Sequence, residues 1–280
     1  MTRALVNRII DSSVVDGPGN RTAIFLQGCN FACAYCHNPE TIRVCNDCGD
    51  CIRVCPAHAL VHEAGRVVWN ESACVGCDAC LRRCAHGSSP KARWFSAEEA
   101  GARVQKNLPF IRGVTLSGGE CTLQIAFVRE LFAMTAGLGL TNWIDSNGSY
   151  LFEEDAALMA VCDGVALDVK AYDPVVHRRV TGRGNEAVLR NLDYLAAAGK
   201  LAEVRTVVTG GDSGSMETVR GVSQRLARLG RADVPYRLIR YRPFGVREPF
   251  RSQLRPPNAR EMDVLQRLAQ DVGLRCVSLV

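Results

Sequence analysis

The stretch LQGCNFACAYCHNPE, residues 26–40, sets Cys29, Cys33 and Cys36 in a C-x3-C-x2-C spacing. Structural metal sites and iron–sulfur cubes normally take four protein ligands, so this group is one ligand short. An open coordination position is typical of a catalytic metal rather than a structural one. The spacing therefore predicts a [4Fe–4S] cluster whose fourth iron is open to a small molecule. Tyr35, between the second and third cysteines, can pack against a flat ring.

Bulk composition narrows the class of protein. The 280 residues are 47% hydrophobic, which suits one large domain or one domain with a small insert. No run approaches eighteen apolar residues and the N-terminus has no long apolar segment, so we expect no membrane span, no secretory signal and a cytoplasmic location. The net charge of +5 is too diffuse to indicate nucleic-acid binding. Residues 237–260 carry seven arginines against one acid, which indicates either a solvated rim or a docking face for an acidic partner or substrate.

Alternating strand and helix patterns follow residue 90, and one further strand precedes the cysteine loop. Strands are expected at 22–27, 113–116, 140–144, 164–169, 202–208, 236–241 and 275–279. Helices are expected at 122–136, 153–161, 186–198, 216–229 and 260–272. Such alternation implies parallel strands with right-handed crossovers. Six or seven units, short of eight, predict an α/β fold: a partial (β/α)6-type barrel formed by residues 1–42 and 91–280, with its active site at the carboxyl ends of the strands.

Residues 43–90 interrupt that pattern with eight cysteines. CNDCGDCIRVCP (45–56) matches the ferredoxin pattern C-x2-C-x2-C-x3-C-P, and CVGCDACLRRCA (74–85) matches all but its proline. These intervals favour two [4Fe–4S] clusters over structural zinc, with the fourth cysteine of each run reaching across to the other cluster. The sequence therefore predicts a ferredoxin-like insert whose two ligand sets are Cys45, Cys48, Cys51 and Cys84, and Cys74, Cys77, Cys80 and Cys55.

Two motifs on the first two barrel strands resemble those of the radical S-adenosylmethionine superfamily. They are CNFACAYC (29–36) and the run SGGE (117–120). In that family the amino and carboxylate groups of S-adenosylmethionine chelate the open iron. The resemblance implies that Gly118, Gly119 and Glu120 receive the amino group through backbone carbonyls, since glycine lets the main chain approach closely.

Further runs are similar to those of the glycyl-radical-enzyme activases. They are VDGPGNR (15–21), FLQGC (25–29), CHNP (36–39), IDSNG (144–148), LDVK (167–170) and VRTVV (204–208). The resemblance covers nearly the whole chain. The two-cluster insert implies a place among the activases with three [4Fe–4S] clusters, and the compact length and insert opening look closest to the YjjW type.

The same resemblance implies which side chains serve the cofactor. Contacts with S-adenosylmethionine are expected from Tyr35, His37, Asp168, Val169 and Lys170. Asp145 and Asp168 resemble the carboxylates that hold a monovalent cation near the methionyl carboxylate in some activases. The alternative for Asp145 is that it caps a turn through its side chain.

Two arginines complete the implied site. Arg205 is expected among the substrate-facing groups, and its alternative is a simple ion pair with a neighbouring acid. Arg242 stands in the stretch RYRPFG (240–245), where the family usually has a histidine in contact with S-adenosylmethionine. Arginine donates hydrogen bonds as histidine does but does not deprotonate, so an acid–base role is not expected there.

The activity implied by the resemblance is that of an activase. It reductively cleaves S-adenosylmethionine to methionine and a 5′-deoxyadenosyl radical, which takes a hydrogen from a glycine Cα of a partner glycyl radical enzyme. The electron is expected from flavodoxin or ferredoxin. Two alternatives stay open: a radical enzyme acting on a small molecule, and a polyferredoxin-like electron carrier, which would explain residues 43–90 and nothing else.

Overall fold

One nine-stranded sheet organises the chain in the computed structural model, which describes residues 1–211, 213–248 and 250–280. A separate two-stranded sheet lies in the cysteine-dense segment. In chain order the strands are β1 Arg3–Ser13, β2 Arg21–Leu26, β3 Leu60–Glu63, β4 Arg66–Trp69, β5 Arg93–Ser96, β6 Gly113–Gly118, β7 Thr141–Ser146, β8 Gly164–Asp168, β9 Leu201–Val208, β10 Tyr236–Arg240 and β11 Val277–Leu279.

Helices connect the strands of the large sheet. They are α1 Ala79–Arg83, α2 Ala97–Asn107, α3 Ile125–Gly137, α4 Ala156–Val161, α5 Pro174–Thr181, α6 Glu186–Ala197, α7 Ser213–Arg228, α8 Phe250–Gln253 and α9 Ala259–Asp271. Short 3₁₀ turns precede α3 and α4, where the sequence predicted longer helices. Among the described helices, none has the length and apolar character needed to cross a membrane.

The sheet has the order β11-β10-β9-β8-β7-β6-β2-β1-β5. From β2 to β11 the neighbouring strands are parallel, so six crossovers join seven parallel strands. The two end strands do not pair with each other, which leaves the sheet open rather than closed into a barrel. This open parallel sheet confirms the predicted α/β architecture and puts the carboxyl ends of its strands along one edge.

Two antiparallel strands extend the sheet beyond what the sequence predicted. β1 pairs antiparallel with β2 and also with β5. α2 and α5 were not predicted either, although each has a clear start: a capping box between Ser96 and Glu99, and the Asp173 side chain accepting from Val176 N at 2.8 Å. β1 mixes apolar and charged residues, and its place depends on pairing with strands distant in sequence.

A hydrophobic core lies between the parallel strands and the helices. Ile24, Leu116 and Ile144 are fully buried on three neighbouring strands. Phe127 and Phe132 of α3 are buried in the same cluster. Strands covered in this way carry near-continuous apolar runs, which is why these segments were easy to predict.

Arg21, in the VDGPGNR run, is a fully buried arginine at the start of β2. Its Nε donates to Thr115 Oγ1 at 2.8 Å and its Nη2 to Val114 O at 2.8 Å and Thr141 O at 2.8 Å. Its Nη1 donates to Pro18 O at 3.2 Å and to Thr141 Oγ1 at 2.9 Å, which engages all five N–H groups. Burial lowers the pKa of Arg21 to about 10. The motif thus ties β2 to β6 and β7 at the end opposite the cysteine loop.

Residues 43–90 hold the β3–β4 hairpin, α1 and a small buried cluster of Cys51, Leu60 and Cys80. The two ends of this segment meet, because Arg43 bridges to Ser88 and Arg43 N donates to Gly87 O at 3.1 Å. A segment whose ends meet can be inserted into a loop without disturbing the sheet. Its status as a separate domain stays a prediction.

Replacing Arg21 by lysine is expected to destabilise the fold. Lysine keeps the buried charge but cannot match the planar five-donor geometry, so acceptors on β6, on β7 and at Pro18 lose their partners. We expect a loss of about 2–4 kcal/mol in the free energy of unfolding, measured by urea unfolding under circular dichroism. The exposed neighbour Arg112→Lys is the control and should change by less than about 0.5 kcal/mol. Equal stability of the two variants would contradict the structural role of Arg21.

Candidate functional site

The cysteine loop, residues 29–36, leaves the carboxyl end of β2 and is held by backbone hydrogen bonds. Ala32 N donates to Thr181 O at 2.9 Å, and Ala34 N donates to Val180 O at 2.8 Å. Both acceptors belong to the end of α5, which follows β8. The loop is therefore fixed against a neighbouring β/α unit before any metal binds.

The three thiols of this loop are half-buried and close enough to affect one another's ionisation. Burial raises the pKa of Cys29 to about 12 and that of Cys33 to about 11, and it also raises the pKa of Cys36. Ionisation of Cys33 or Cys36 raises the pKa of Cys29 further, which reflects their proximity. Three mutually close thiols sheltered from water suit an iron–sulfur cluster, whose binding would displace their protons.

Gly118 and Gly119 let the end of β6 pass directly against the root of this loop. Gly118 has φ +116°, and a Cβ on it would lie 2.2 Å from Leu26 O. A Cβ on Gly119 would lie 2.2 Å from Gly28 O. In their place, Gly119 N donates to Leu26 O at 3.0 Å and Glu120 N to Gly28 O at 2.8 Å. Glycine is required at both positions by contacts within the protein itself.

The carboxylate of Glu120 is buried and engaged within the protein. Its Oε1 accepts from Thr122 Oγ1 at 2.6 Å and from Ser146 Oγ at 3.1 Å, and its Oε2 accepts from Asn147 N at 2.7 Å. Burial raises the pKa of Glu120. The side chain thus ties β6 to the end of β7, while a contact of this residue with S-adenosylmethionine through its backbone stays a prediction.

Asn147 is a site residue that the sequence analysis missed. Its Nδ2 lies 3.8 Å from Cys29 Sγ and donates to Asn30 Oδ1 at 3.0 Å. Asn30 Nδ2 in turn donates to Ser149 Oγ at 2.8 Å. The only sequence signal for Asn147 is its place in the IDSNG run, in which the resemblance to the activases singles out Asp145.

Charged side chains from β7, β8 and β9 form a paired group beside the loop. Lys170 Nζ lies 2.7 Å from Asp168 Oδ2, and Arg205 Nη1 lies 3.1 Å from Asp145 Oδ2. Arg205 Nε also contacts Glu203. Burial alone would lower the pKa of Lys170, but the Asp168 carboxylate raises it above its ordinary value. The structure thus contains the ion pair that was the alternative for Arg205.

One of the two carboxylate oxygens of Asp145 is not engaged by the described residues. Its Oδ1 is buried and has no hydrogen-bond partner among the described residues. Burial raises the pKa of Asp145, although the Arg205 charge opposes the shift. A buried acceptor of this kind fits a cation or a hydrogen-bond donor of a ligand. The chemistry of Asp145 therefore suits the cation site predicted at Asp145 and Asp168, which stays a prediction.

Tyr35 and His37 flank Cys36 and contact the segments after β8 and β10. Tyr35 Oη donates to Lys170 O at 3.2 Å. His37 Nε2 lies 3.0 Å from Arg242 O, and its ring stacks on Tyr241 with centroids 6.4 Å apart. Arg242 is exposed and meets His37 through its backbone carbonyl. Contacts of these residues with S-adenosylmethionine stay predictions.

Val169 sits at the turn between Asp168 and Lys170. It is fully buried in the main core, and its N–H donates to Arg205 O at 2.9 Å. The Val169 side chain therefore packs into the protein, so any contact it makes with a ligand would come from its backbone.

Residues 241–248 cover the cysteine loop. Arg247, in this segment, is the second site residue that sequence analysis missed, after Asn147. Arg247 Nη2 donates to Ala32 O at 3.3 Å and to Cys33 O at 3.4 Å. A Cβ on Gly245 would lie 2.3 Å from His37 O, so glycine lets the two segments meet. The arginine-rich composition of residues 237–260 marks this segment in the sequence but does not distinguish Arg247 from the other six arginines. Pro249, within that stretch, lies outside the described residues.

The eight remaining predicted ligands divide between two cavities of the insert. A cavity of about 340 Å³ is lined by Cys45, Cys48, Cys51 and Cys84. A smaller one is lined by Cys55, Cys74, Cys77 and Cys80. The Gly76 N–H and the nearby indole N–H of Trp69 lower the pKa of Cys74. Each set of four is the one expected when the fourth cysteine of a run crosses to the other cluster.

Comparisons with known proteins bear on this arrangement. The Radical SAM superfamily description matches residues 23–222. The (2S)-3-sulfopropanediol sulfolyase activating enzyme of Bilophila wadsworthia is 30% identical over 253 residues, covering 83% of each chain. The pyruvate formate-lyase-activating enzyme of Streptococcus mutans is 31% identical over 213 residues, covering 74% of this chain and 66% of the relative. The solved structure of QueE from Escherichia coli shares the fold, with a TM-score of 0.57 at 15% identity over 99% of this chain and 94% of that one.

The chain therefore belongs to the radical S-adenosylmethionine superfamily and, within it, to the enzymes that activate glycyl-radical enzymes. The predicted family and enzyme class are confirmed. The family brings with it a [4Fe–4S] cluster and S-adenosylmethionine. The alternatives of an electron carrier and a small-molecule radical enzyme are not favoured.

Alanine at Gly118 is expected to prevent the cysteine loop from reaching its position. The added methyl group would overlap the backbone of Leu26, and the left-handed φ adds strain. We expect the Gly118→Ala protein to lose the iron of the cysteine-loop cluster, about four atoms per chain, as measured by iron and sulfide analysis. Gly137→Ala, where a Cβ meets nothing within 4 Å, is the matched control and should load as wild type does. Full iron loading of the Gly118→Ala protein would show that the approach is dispensable.

Proposed function

We propose that the cysteine loop at residues 29–36 is the reacting centre of this glycyl-radical-enzyme activating enzyme. The observation that carries the proposal is the meeting of three sheltered thiols with the Gly118–Gly119 turn at the carboxyl ends of β2 and β6. Three thiolates leave one iron of a cube without a protein ligand. That iron is where the amino and carboxylate groups of S-adenosylmethionine would bind.

The chemistry is one-electron cleavage followed by hydrogen transfer. A cluster held by Cys29, Cys33 and Cys36 would supply one electron to the sulfonium, and cleavage of the C5′–S bond would give methionine and a 5′-deoxyadenosyl radical. That radical takes a hydrogen atom from the Cα of a glycine in the partner enzyme, which leaves 5′-deoxyadenosine and a glycyl radical. The protein contributes orientation and exclusion of water.

The paired charges beside the loop would orient the methionyl end of the substrate. Lys170 and Arg205 are each already paired with a carboxylate, so the group adds little net charge to the site. Asp145 Oδ1, which is buried and has no hydrogen-bond partner among the described residues, would coordinate a monovalent cation or accept a hydrogen bond from a ligand. Arg205 is held by Asp145 and Glu203 and therefore acts in positioning rather than in proton transfer.

Residues 43–90 are proposed as a ferredoxin-like domain with two more [4Fe–4S] clusters, which makes three in all. The support is the division of eight thiols between two cavities in the ligand sets that the ferredoxin pattern requires. Such clusters would carry an electron from an external low-potential donor, flavodoxin or ferredoxin, toward the cysteine loop.

The partner is proposed as a glycyl radical enzyme whose glycine-bearing loop enters at the strand ends. The relatives named above activate a sulfolyase and pyruvate formate-lyase, so the class of partner is common to them while the individual enzyme differs. Counting contacts between described residues, three of the seven arginines in the candidate docking face are engaged within the protein: Arg237 with Glu203, Arg247 with the cysteine loop and Arg255 with Glu261. The others, Arg240, Arg242, Arg251 and Arg260, are the better candidates for a partner contact.

Anaerobic reconstitution followed by reduction with dithionite tests the reacting centre. Wild type is expected to form 5′-deoxyadenosine from S-adenosylmethionine, and Cys36→Ala to form none because the cluster loses one of its three ligands. Cys48→Ala should retain uncoupled cleavage, since dithionite can reduce the open-site cluster directly. Cys276→Ala, an exposed cysteine outside all three ligand sets, is the control and should match wild type. Fully metallated wild type that forms no 5′-deoxyadenosine would contradict the proposal.

A further inference from the structure

The two cysteine-lined cavities of the insert differ in charge. The smaller cavity, lined by Cys55, Cys74, Cys77 and Cys80, also has Lys91, its ion-pair partner Asp78 and Trp69 in its lining. The lining of the larger cavity contains no lysine or arginine among the described residues, and its carboxylate is Asp50. Because iron–sulfur potentials respond to nearby charge and to hydrogen bonds on sulfur, this difference has a chemical consequence.

Lys91 presents its charge to the smaller cavity. Its Nζ lies 2.6 Å from Asp78 Oδ1, and the side chain of Lys91 is 17% exposed while that of Asp78 is 54% exposed. The carboxylate is therefore largely in solvent, where its field is screened, whereas the ammonium is sheltered beside the thiols. Both side chains line the cavity, and at Cys74 and Cys80 the effect of the sheltered ammonium exceeds the opposing effect of the carboxylate.

Trp69 adds a hydrogen-bond donor that the described protein does not satisfy. Its indole Nε1 is buried and makes no hydrogen bond of full geometry among the described residues, although its N–H lies near enough to the Cys74 sulfur to lower the pKa of that thiol. The ring is held in place by Arg93, whose guanidinium carbon lies 5.3 Å from the ring centroid and whose Nη2 donates to Glu71 Oε2 at 2.7 Å. A buried N–H without a partner is costly, and a cluster sulfur in this cavity would supply the acceptor.

The larger cavity has a comparable hydrogen bond but no cation. Cys84 Sγ lies 3.4 Å from Ser88 Oγ, so a donor is present there as well. Asp47, beside Cys45, is a further carboxylate on that side, and its Oδ1 accepts from Val67 N at 2.8 Å. Each lining thus holds one carboxylate, Asp50 in the larger cavity and Asp78 in the smaller, so the contrast comes chiefly from Lys91.

We propose that Lys91 and Trp69 make the cluster at Cys55, Cys74, Cys77 and Cys80 the more readily reduced of the two clusters of the insert. This inference rests on the proposed presence of both clusters. Reduction adds one electron without making or breaking a bond, and a nearby cation and N–H donor stabilise the added negative charge. The electron from the external low-potential donor therefore resides at this cluster before it passes on.

The test is a redox titration of the iron-loaded protein followed by electron paramagnetic resonance, without S-adenosylmethionine. Lys91→Met is expected to lower the midpoint potential of one insert cluster, the one whose signal a Cys77→Ser variant removes. We expect the reduction equilibrium constant to fall about tenfold, which is about 59 mV for a one-electron couple. Trp69→Phe keeps the ring but removes the N–H, and it should shift the same signal in the same direction.

Two further variants make the test specific to charge. Asp78→Asn removes the carboxylate while leaving Lys91, and it should raise the potential that Lys91→Met lowers. Arg66→Met removes an exposed cation of β4 that lines neither cavity, and it should leave both potentials unchanged. Equal effects of Lys91→Met and Arg66→Met, or a shift confined to the cluster at Cys45, would overturn the inference.

Iron analysis separates this inference from the proposed function on which it rests. Three clusters require about twelve iron atoms per chain. A protein that binds only about four would refute the two insert clusters and this inference with them. A protein that binds about twelve but whose potentials ignore Lys91 would refute this inference alone.

Discussion

The approach of the Gly118–Gly119 turn to the root of the cysteine loop is the contact on which the site depends. Both Cβ positions would fall 2.2 Å from carbonyl oxygens of Leu26 and Gly28, so only glycine allows β6 and the loop after β2 to end side by side. The backbone hydrogen bonds that result fix where Cys29 begins. A cluster ligand set needs positions fixed to a fraction of an ångström, and here the backbone provides them.

From this contact the site continues along the strand ends as a chain of neighbouring interactions. Glu120 carries the connection from β6 to Asn147 after β7, and Asn147 returns to Cys29. Asp145 on β7 pairs with Arg205 on β9. The segment after β10 then closes over the loop through Arg247. Because adjacent parallel strands end at one edge, residues distant in sequence meet there without any further device.

Prediction from sequence succeeded where chemistry or periodicity is local. The C-x3-C-x2-C run is a local pattern that indicated the family, and the buried parallel strands have apolar runs that identify them. The two ferredoxin runs are local patterns too, and their clusters stay a prediction. The location of β1 was not predictable in this way, because it depends on pairing with β2 and β5. Arg247 was not predictable for a related reason, because its hydrogen bonds are to backbone carbonyls more than two hundred residues away. Nothing in the local sequence distinguishes it from the six other arginines of that stretch.

The central claim is that the cysteine loop leaves one iron of its cluster open to S-adenosylmethionine. Mössbauer spectroscopy of protein loaded with ⁵⁷Fe, recorded with and without S-adenosylmethionine, tests it most directly. An open iron at the cysteine loop predicts that one iron per chain changes its isomer shift on addition of S-adenosylmethionine while the other iron sites do not. Spectra that stay unchanged, or that change at several irons at once, would contradict an open site at the cysteine loop.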